Sequence, residues 1–196
     1  MTSSIANTYC SLLRRELLVS QGCTEPAAIA YAAAMCRKQL GKMPDHMRVS
    51  CSGNVFKNAK SAILPHTDGL KGIAAAAIAG AVGEKAELEL EVLASLTSEH
   101  LAEIHRLLAD NFCEVTLLKS DEKLHIIVEE TAGEDSASVE ICHEHTFIKR
   151  IKFNGSVVSQ SDIDLQETDY TNEELSRLNM HDIFCFACEV DLSDEL

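Results

Sequence analysis

A chain of 196 residues with 31 acidic against 17 basic side chains carries a formal charge of −14, a sign that opposes polyanions such as nucleic acid and the anionic surface of a membrane. That length suits one domain or two small ones with a sizeable core; the lack of tryptophan and a 5% share of aromatics make the core aliphatic and argue against stacking on bases or sugars. Eight cysteines scattered through periodic segments, without an apolar leader, predict reduced thiols in a cytoplasmic protein, and no apolar run approaches the length of a membrane span.

In chain order, Ile5, Tyr9, Leu12, Leu13, Leu17 and Leu18 lie at spacings that stripe one face of a helix over 5–18, which Gly22 ends. The stretch Gln21-Gly22-Cys23-Thr24-Glu25-Pro26 is a turn between this helix and an alanine-rich one over 27–40. Thr24 suits the N-cap, Glu25 the first turn, and Pro26 a position where its missing N–H costs no hydrogen bond. Cys23 thus precedes a helix start, where backbone N–H groups favour a thiolate over a thiol. The alternative is a small buried hydrophobe, the ordinary state of a free cysteine.

Alternation of Met47, Val49 and Cys51 with polar residues predicts a strand over 46–56. Ser52-Gly53-Asn54-Val55-Phe56-Lys57-Asn58 then mixes small residues, amides and a lysine, which suits either an anion such as a carboxylate or a plain hairpin turn. A returning strand over 61–64 ends in the loop Pro65-His66-Thr67-Asp68-Gly69. His66 has a titration range fitted to proton transfer, or is simply a surface histidine. Residues 72–82 predict a tightly packed helix, 84–96 a helix by propensity, and 98–108 a third, capped by Thr97 or Ser98. His100 and His105, five residues apart, lack the spacing of a metal pair.

Strands follow over 113–118, 124–130, 138–143 and 147–153, with a short segment at Val157-Val158, and read as an antiparallel meander. Cys142-His143-Glu144-His145 carries zinc-ligand types, but in a strand His143 and His145 share a face that Cys142 does not. The polar run 160–169 reads as a surface connection, and Asn172 opens a last helix through Leu175, Leu178, Ile183 and Phe186. Within it Cys185 and Cys188 have the spacing of a redox or zinc pair yet sit in mid-helix, which favours two buried cysteines. The acidic end from Glu189 frays. The whole predicts an α+β fold, helices packed on a mostly antiparallel sheet in a single domain.

Gly22-Cys23-Thr24-Glu25-Pro26 before an alanine-rich helix, Ser52-Gly53-Asn54-Val55-Phe56-Lys57-Asn58, Pro65-His66-Thr67 before Gly72-Ile73-Ala74-Ala75-Ala76, and His145-Thr146 followed by Asn154-Gly155 together resemble the L-cysteine desulfidase family, related to the alpha chain of iron-sulfur L-serine dehydratases. The likeness runs from about Leu12 onward. It implies a 4Fe-4S cluster held by three cysteines, Cys23 among them, whose remaining iron acts as a Lewis acid in α,β-elimination of L-cysteine or L-serine to pyruvate and ammonia, with sulfide from cysteine. By residue type, Thr24, Glu25, Ser52, Asn54, Asn58 and Thr67 would bind the substrate, and His66, His145 and Lys57 would take part in catalysis. His66 stands where the family tends to have glycine.

The family's other two cluster cysteines lie in a C-terminal half beyond Leu196, and Cys185 and Cys188 do not match them. The expectation is therefore the N-terminal part of a lyase, inactive by itself, that needs the cluster-binding half in cis or as a separate chain; self-association into a homo-oligomer stays open. The alternative is a stand-alone binding or regulatory module for small amino acids.

Overall fold

The computed structural model describes residues 3–161 and 178–190. They belong to two compact units, one spanning 20–162 and the other drawn from 1–19 and 163–196. In the terminal unit, α1 (Ser3–Glu16) and α6 (Met180–Glu189) bury Tyr9, Cys10 and Phe186, and the Tyr9 and Phe186 rings meet edge to face at 5.3 Å. The stripe of Ile5, Leu12 and Leu13 packs there. The helix stops at Glu16, not at Gly22, and Leu17 and Leu18 are exposed. Without a packed apolar face there is little to sustain another turn. Asn179 caps α6 by accepting from the N–H of Asp182 at 2.9 Å. Cys188 is exposed and Cys185 half-buried, so the two are not the buried pair expected. The predicted connection over 162–169 and helix start at Asn172 lie outside the described residues.

The unit 20–162 is built on α2 (Thr24–Leu40), whose alanines let it be buried on nearly every side. Gly41 closes it in the left-handed conformation at φ 67, its N–H donating to the Arg37 carbonyl at 3.0 Å. Strands β1 (His46–Cys51), β2 (Cys113–Leu117), β3 (His125–Ala132), β4 (Asp135–Cys142), β5 (Ile148–Phe153) and β6 (Ser156–Gln160) form one sheet in the order β2-β1-β3-β4-β5-β6. Only the β1–β2 pairing is parallel. Of the expected antiparallel meander, β3 to β6 form as predicted, but β2, expected as its first strand, pairs instead in parallel with β1, which lies between it and β3. The fold is α+β.

Alternation along the strands separates the faces. Met47, Val49, Ile126, Val128, Val139 and Ile141 are buried beneath α2 and α4 (Ile73–Gly83), while Arg48–Glu114, Ser50–Thr116 and His125–Glu140 pair across strands on the other face. α4 comes so close to α2 that a methyl group on Gly80 would lie 2.0 Å from the Ala30 carbonyl oxygen. α5 (Ser98–Ala109) packs on α4 and is capped by Thr97 and His100 in a reciprocal box. His100 is therefore a capping residue.

Three local expectations are corrected. β1 ends at Cys51, and Gly53–Ala59 is a helix, α3, where a strand end and turn were expected; burial of Val55 and Ala59 on one side of it outweighs the turn preference of Gly-Asn. Residues 61–64 form no strand beyond a single bridge, Ile63 to Lys71. Ala86–Ser95 is a 3-10 segment broken at Glu89, whose φ of 47 interrupts any continuous helix.

Candidate functional site

Cys23 is the N-cap of α2, and Thr24 and Glu25 are its first helical residues. Thr24 is therefore not the cap: the backbone becomes helical one residue earlier than threonine's preference suggests, and no side chain makes the capping hydrogen bond. Glu25 gathers its neighbours. Asn58 Nδ2 donates to Glu25 Oε1 at 2.7 Å, Cys23 Sγ donates to Oε2 at 3.1 Å, and Thr24 Oγ1 reaches the same oxygen at 3.4 Å. Desolvation works to raise the Glu25 pKa, but the hydrogen bonds from Asn58 and Cys23, with the charge of His145, hold the carboxyl below its usual range.

The thiol goes the other way. Cys23 is exposed, yet its pKa is raised, first by loss of water around the sulfur, then by the proton it shares with Glu25 and by that carboxylate's charge. The thiolate expected at a helix start is thus overturned. Loss of water around the sulfur, together with the hydrogen bond to the Glu25 carboxylate, outweighs the half charge of a helix terminus.

His145 lies in the turn between β4 and β5. Burial lowers its pKa against the opposing pull of Glu25, so at pH 7 the ring is neutral. Its Nε2 is buried with no hydrogen-bond partner among the described residues. His66 is also brought to the start of α2, but its Nε2 sits 2.9 Å from Gln21 Oε1 rather than on Cys23 or Glu25. The loop lies so close there that a Cβ on Gly22 would be 3.4 Å from the Pro65 ring. At φ 57, His66 adopts the left-handed conformation that glycine takes without strain.

The helical form of 53–59 places Asn54, Lys57 and Asn58 at spacings of three and four, on one side of α3. Asn54 and Lys57 are exposed. The other two expected substrate contacts are occupied internally. Ser52, 2% exposed, donates to the Lys123 carbonyl at 2.7 Å, and Thr67, 1% exposed, donates to the Leu64 carbonyl at 2.8 Å. Both brace buried backbone, because a strand end and a tight loop leave carbonyls that must find donors; neither hydroxyl faces the Cys23 site.

The run Cys142-His143-Glu144-His145 is divided. β4 ends at Cys142, and His143 turns at φ 69, so His143 and His145 do not share a strand face. His143 joins Cys142 and Glu122, whereas His145 serves the α2 start. Glu122 lies about twenty residues from either and is not signalled by any local pattern.

For a 4Fe-4S cluster this chain presents one accessible thiol at the site. Cys36, Cys51 and Cys142 are buried, and Cys113 is half-buried with its pKa pushed up to about 12 by desolvation. Among the described residues the only group of three metal-binding side chains with ligand atoms within 4.8 Å of one another is Glu122, Cys142 and His143, which excludes Cys23. One thiol does not hold such a cluster; the residues present do not by themselves fit it.

The fold and site define an α+β domain that presents a paired thiol and carboxylate at an exposed helix start, beside an amide and a neutral imidazole. The chain is similar to a UPF0597 protein of Lachnoclostridium phytofermentans, 46% identical over 183 residues that are 93% of this chain and 43% of that protein. It is also similar to UPF0597 proteins of Treponema denticola, 38% identical over 95% of this chain and 43% of the relative, and of Finegoldia magna, 38% identical over 95% and 44%. The chain spans less than half the length of these curated relatives. No family model matches it, and no solved structure does. Among the described residues no helix is long and apolar enough to cross a membrane.

Proposed function

We propose that the chain is the N-terminal part of an amino-acid lyase dependent on a 4Fe-4S cluster, eliminating the β-substituent of L-cysteine or L-serine, and that by itself it does not turn over. The observation that carries this reading is the meeting of the Cys23 thiol and the Glu25 carboxylate at the exposed start of α2, with Asn58 hydrogen-bonded to the same carboxylate. A bound cluster would supply a Lewis-acidic iron; Cys23 would be one ligand, with the other ligands coming from outside this chain. Glu25, 3.1 Å from Cys23 Sγ, would be the acceptor for its thiol proton. On the exposed side of α3, Lys57 and Asn54 offer a positive charge and an amide to the substrate carboxylate. The α proton would pass to His66, exposed and bound to Gln21, or to His145, whose buried Nε2 has no hydrogen-bond partner among the described residues. Loss of that proton and of hydrosulfide from cysteine, or of hydroxide from serine, leaves aminoacrylate, which hydrolyses to pyruvate and ammonia.

The test is anaerobic reconstitution with iron and sulfide. This chain alone gives no stable cluster absorbance and no pyruvate, whereas a protein of the relatives' full length gives both and loses both on Cys23→Ala. Activity of this chain alone, or full activity of the long Cys23→Ala protein, would refute the proposal.

A second reading is favoured by the single thiol: a binding or regulatory module for small amino acids that uses the α3 side and needs no iron. Thermal shift with a panel of amino acids in the presence of a chelator separates the two. A shift that survives both the chelator and Cys23→Ala belongs to binding alone.

A further inference from the structure

A second cluster of chemically potent side chains lies elsewhere in the unit 20–162 and shares no residue with the Cys23 site. Glu122, in the loop before β3, Cys142, the last residue of β4, and His143, in the turn after it, bring a carboxylate oxygen, a sulfur and an imidazole nitrogen within 4.8 Å of one another. His143 Nδ1 is 3.2 Å from Glu122 Oε2. Two nitrogen or oxygen ligands on one tetrahedral zinc ion, with bonds near 2.05 Å, stand about 3.3 Å apart, and a sulfur and a nitrogen about 3.6 Å. The first separation is already met, and the sulfur need move by no more than about an ångström.

The set is held in place by backbone and by neighbouring side chains. His143 occupies the left-handed region at φ 69, which among residues other than glycine is entered mainly by asparagine, aspartate and histidine. Its N–H donates to the Leu124 carbonyl at 3.1 Å, and the next N–H, of Glu144, donates to the Cys142 carbonyl at 2.8 Å. The Glu122 N–H donates to Ser120 Oγ at 3.1 Å; that hydroxyl is 2.8 Å from His125 Nδ1, and His125 Nε2 is 3.1 Å from Glu140 Oε1. The loop carrying the carboxylate is therefore tied to β3 and β4. Cys142 is buried and Glu122 exposed, so an ion enters from the carboxylate side and meets the sulfur last.

We propose that Glu122, Cys142 and His143 form a binding site for a borderline divalent cation, zinc foremost. Sulfur and imidazole select against calcium and magnesium, and three protein ligands leave a fourth position for water or a ligand. Binding forms a metal–sulfur bond as the Cys142 thiol proton passes to solvent, with no change of oxidation state.

The test is titration of cobalt(II) into the chelator-treated, reduced 196-residue chain. One equivalent produces a thiolate-to-cobalt charge-transfer band with tetrahedral d–d bands, and zinc displaces it. Cys142→Ser removes the charge-transfer band, and His143→Asn, which keeps a residue tolerant of the left-handed backbone, weakens binding tenfold or more; Cys23→Ala binds as the parent does. Circular dichroism confirms that each variant is folded, and His143→Asn decides the matter should Cys142→Ser not fold. The absence of cobalt bands, bands undiminished in His143→Asn, or bands lost in Cys23→Ala would overturn the proposal.

Discussion

Glu130 shows how far a single side chain can depart from its solution chemistry. It projects from β3 into the helix-covered core with no exposed surface, neither carboxylate oxygen has a partner among the described residues, and desolvation pushes its pKa up to about 9 against a weaker pull from Arg37. Between an unfolded value near 4.5 and the folded value near 9, the native state binds a proton that the unfolded chain has released, so stability falls as pH rises through that window. The loss is about 3 kcal/mol from pH 4.5 to pH 7. Glu130→Gln flattens this dependence, and urea unfolding at pH 5 and pH 8 should show the variant gaining on the parent at the higher pH. An equal gap at both would count against a buried neutral carboxyl. At the candidate site, Glu25→Gln removes the carboxylate whose hydrogen bond and charge add to desolvation in raising the Cys23 pKa, and timed alkylation at pH 8 with peptide mapping should find Cys23 reacting roughly threefold faster or more. No acceleration would mean that desolvation alone governs the thiol.

At the scale of elements, the two alanine-rich helices explain each other. Small side chains make poor hydrophobic anchors singly, but they let α2 and α4 approach until the Ala30 carbonyl occupies the space a side chain at position 80 would fill. Gly80→Ala should therefore cost about 3 kcal/mol or more, because backbone rather than a flexible side chain must give way; near-parental stability in denaturant would show that the helices can part cheaply. A smaller change belongs to α5. Thr97→Ala loses the hydroxyl that accepts from the His100 N–H at 3.3 Å and should cost about 1 kcal/mol, seen as a modest fall in Tm. The helical form of 53–59 has a functional consequence too, since it gathers Asn54, Lys57 and Asn58 along one side, which a hairpin would not.

For the molecule as a whole, 20–162 contains the entire sheet, the main core and every residue of both candidate sites. Expressed alone, that piece should unfold in a single cooperative transition and keep the cobalt spectrum proposed for Glu122, Cys142 and His143; a non-cooperative melt would show that the terminal unit is needed for folding. Legible in the chain itself were the α+β class, most strands, the alanine-rich helices and, to within a residue, the start of α2 after Gly22, because alternation and helical periodicity act over a few residues. Only the tertiary structure decided that Asn58 reaches Glu25, that Ser52 and Thr67 turn inward, that His145 leaves His143 for the α2 start, and that Glu122 joins Cys142. Those outcomes depend on groups distant in sequence competing for the same hydrogen bonds and the same buried volume, and local pattern carries no term for that competition.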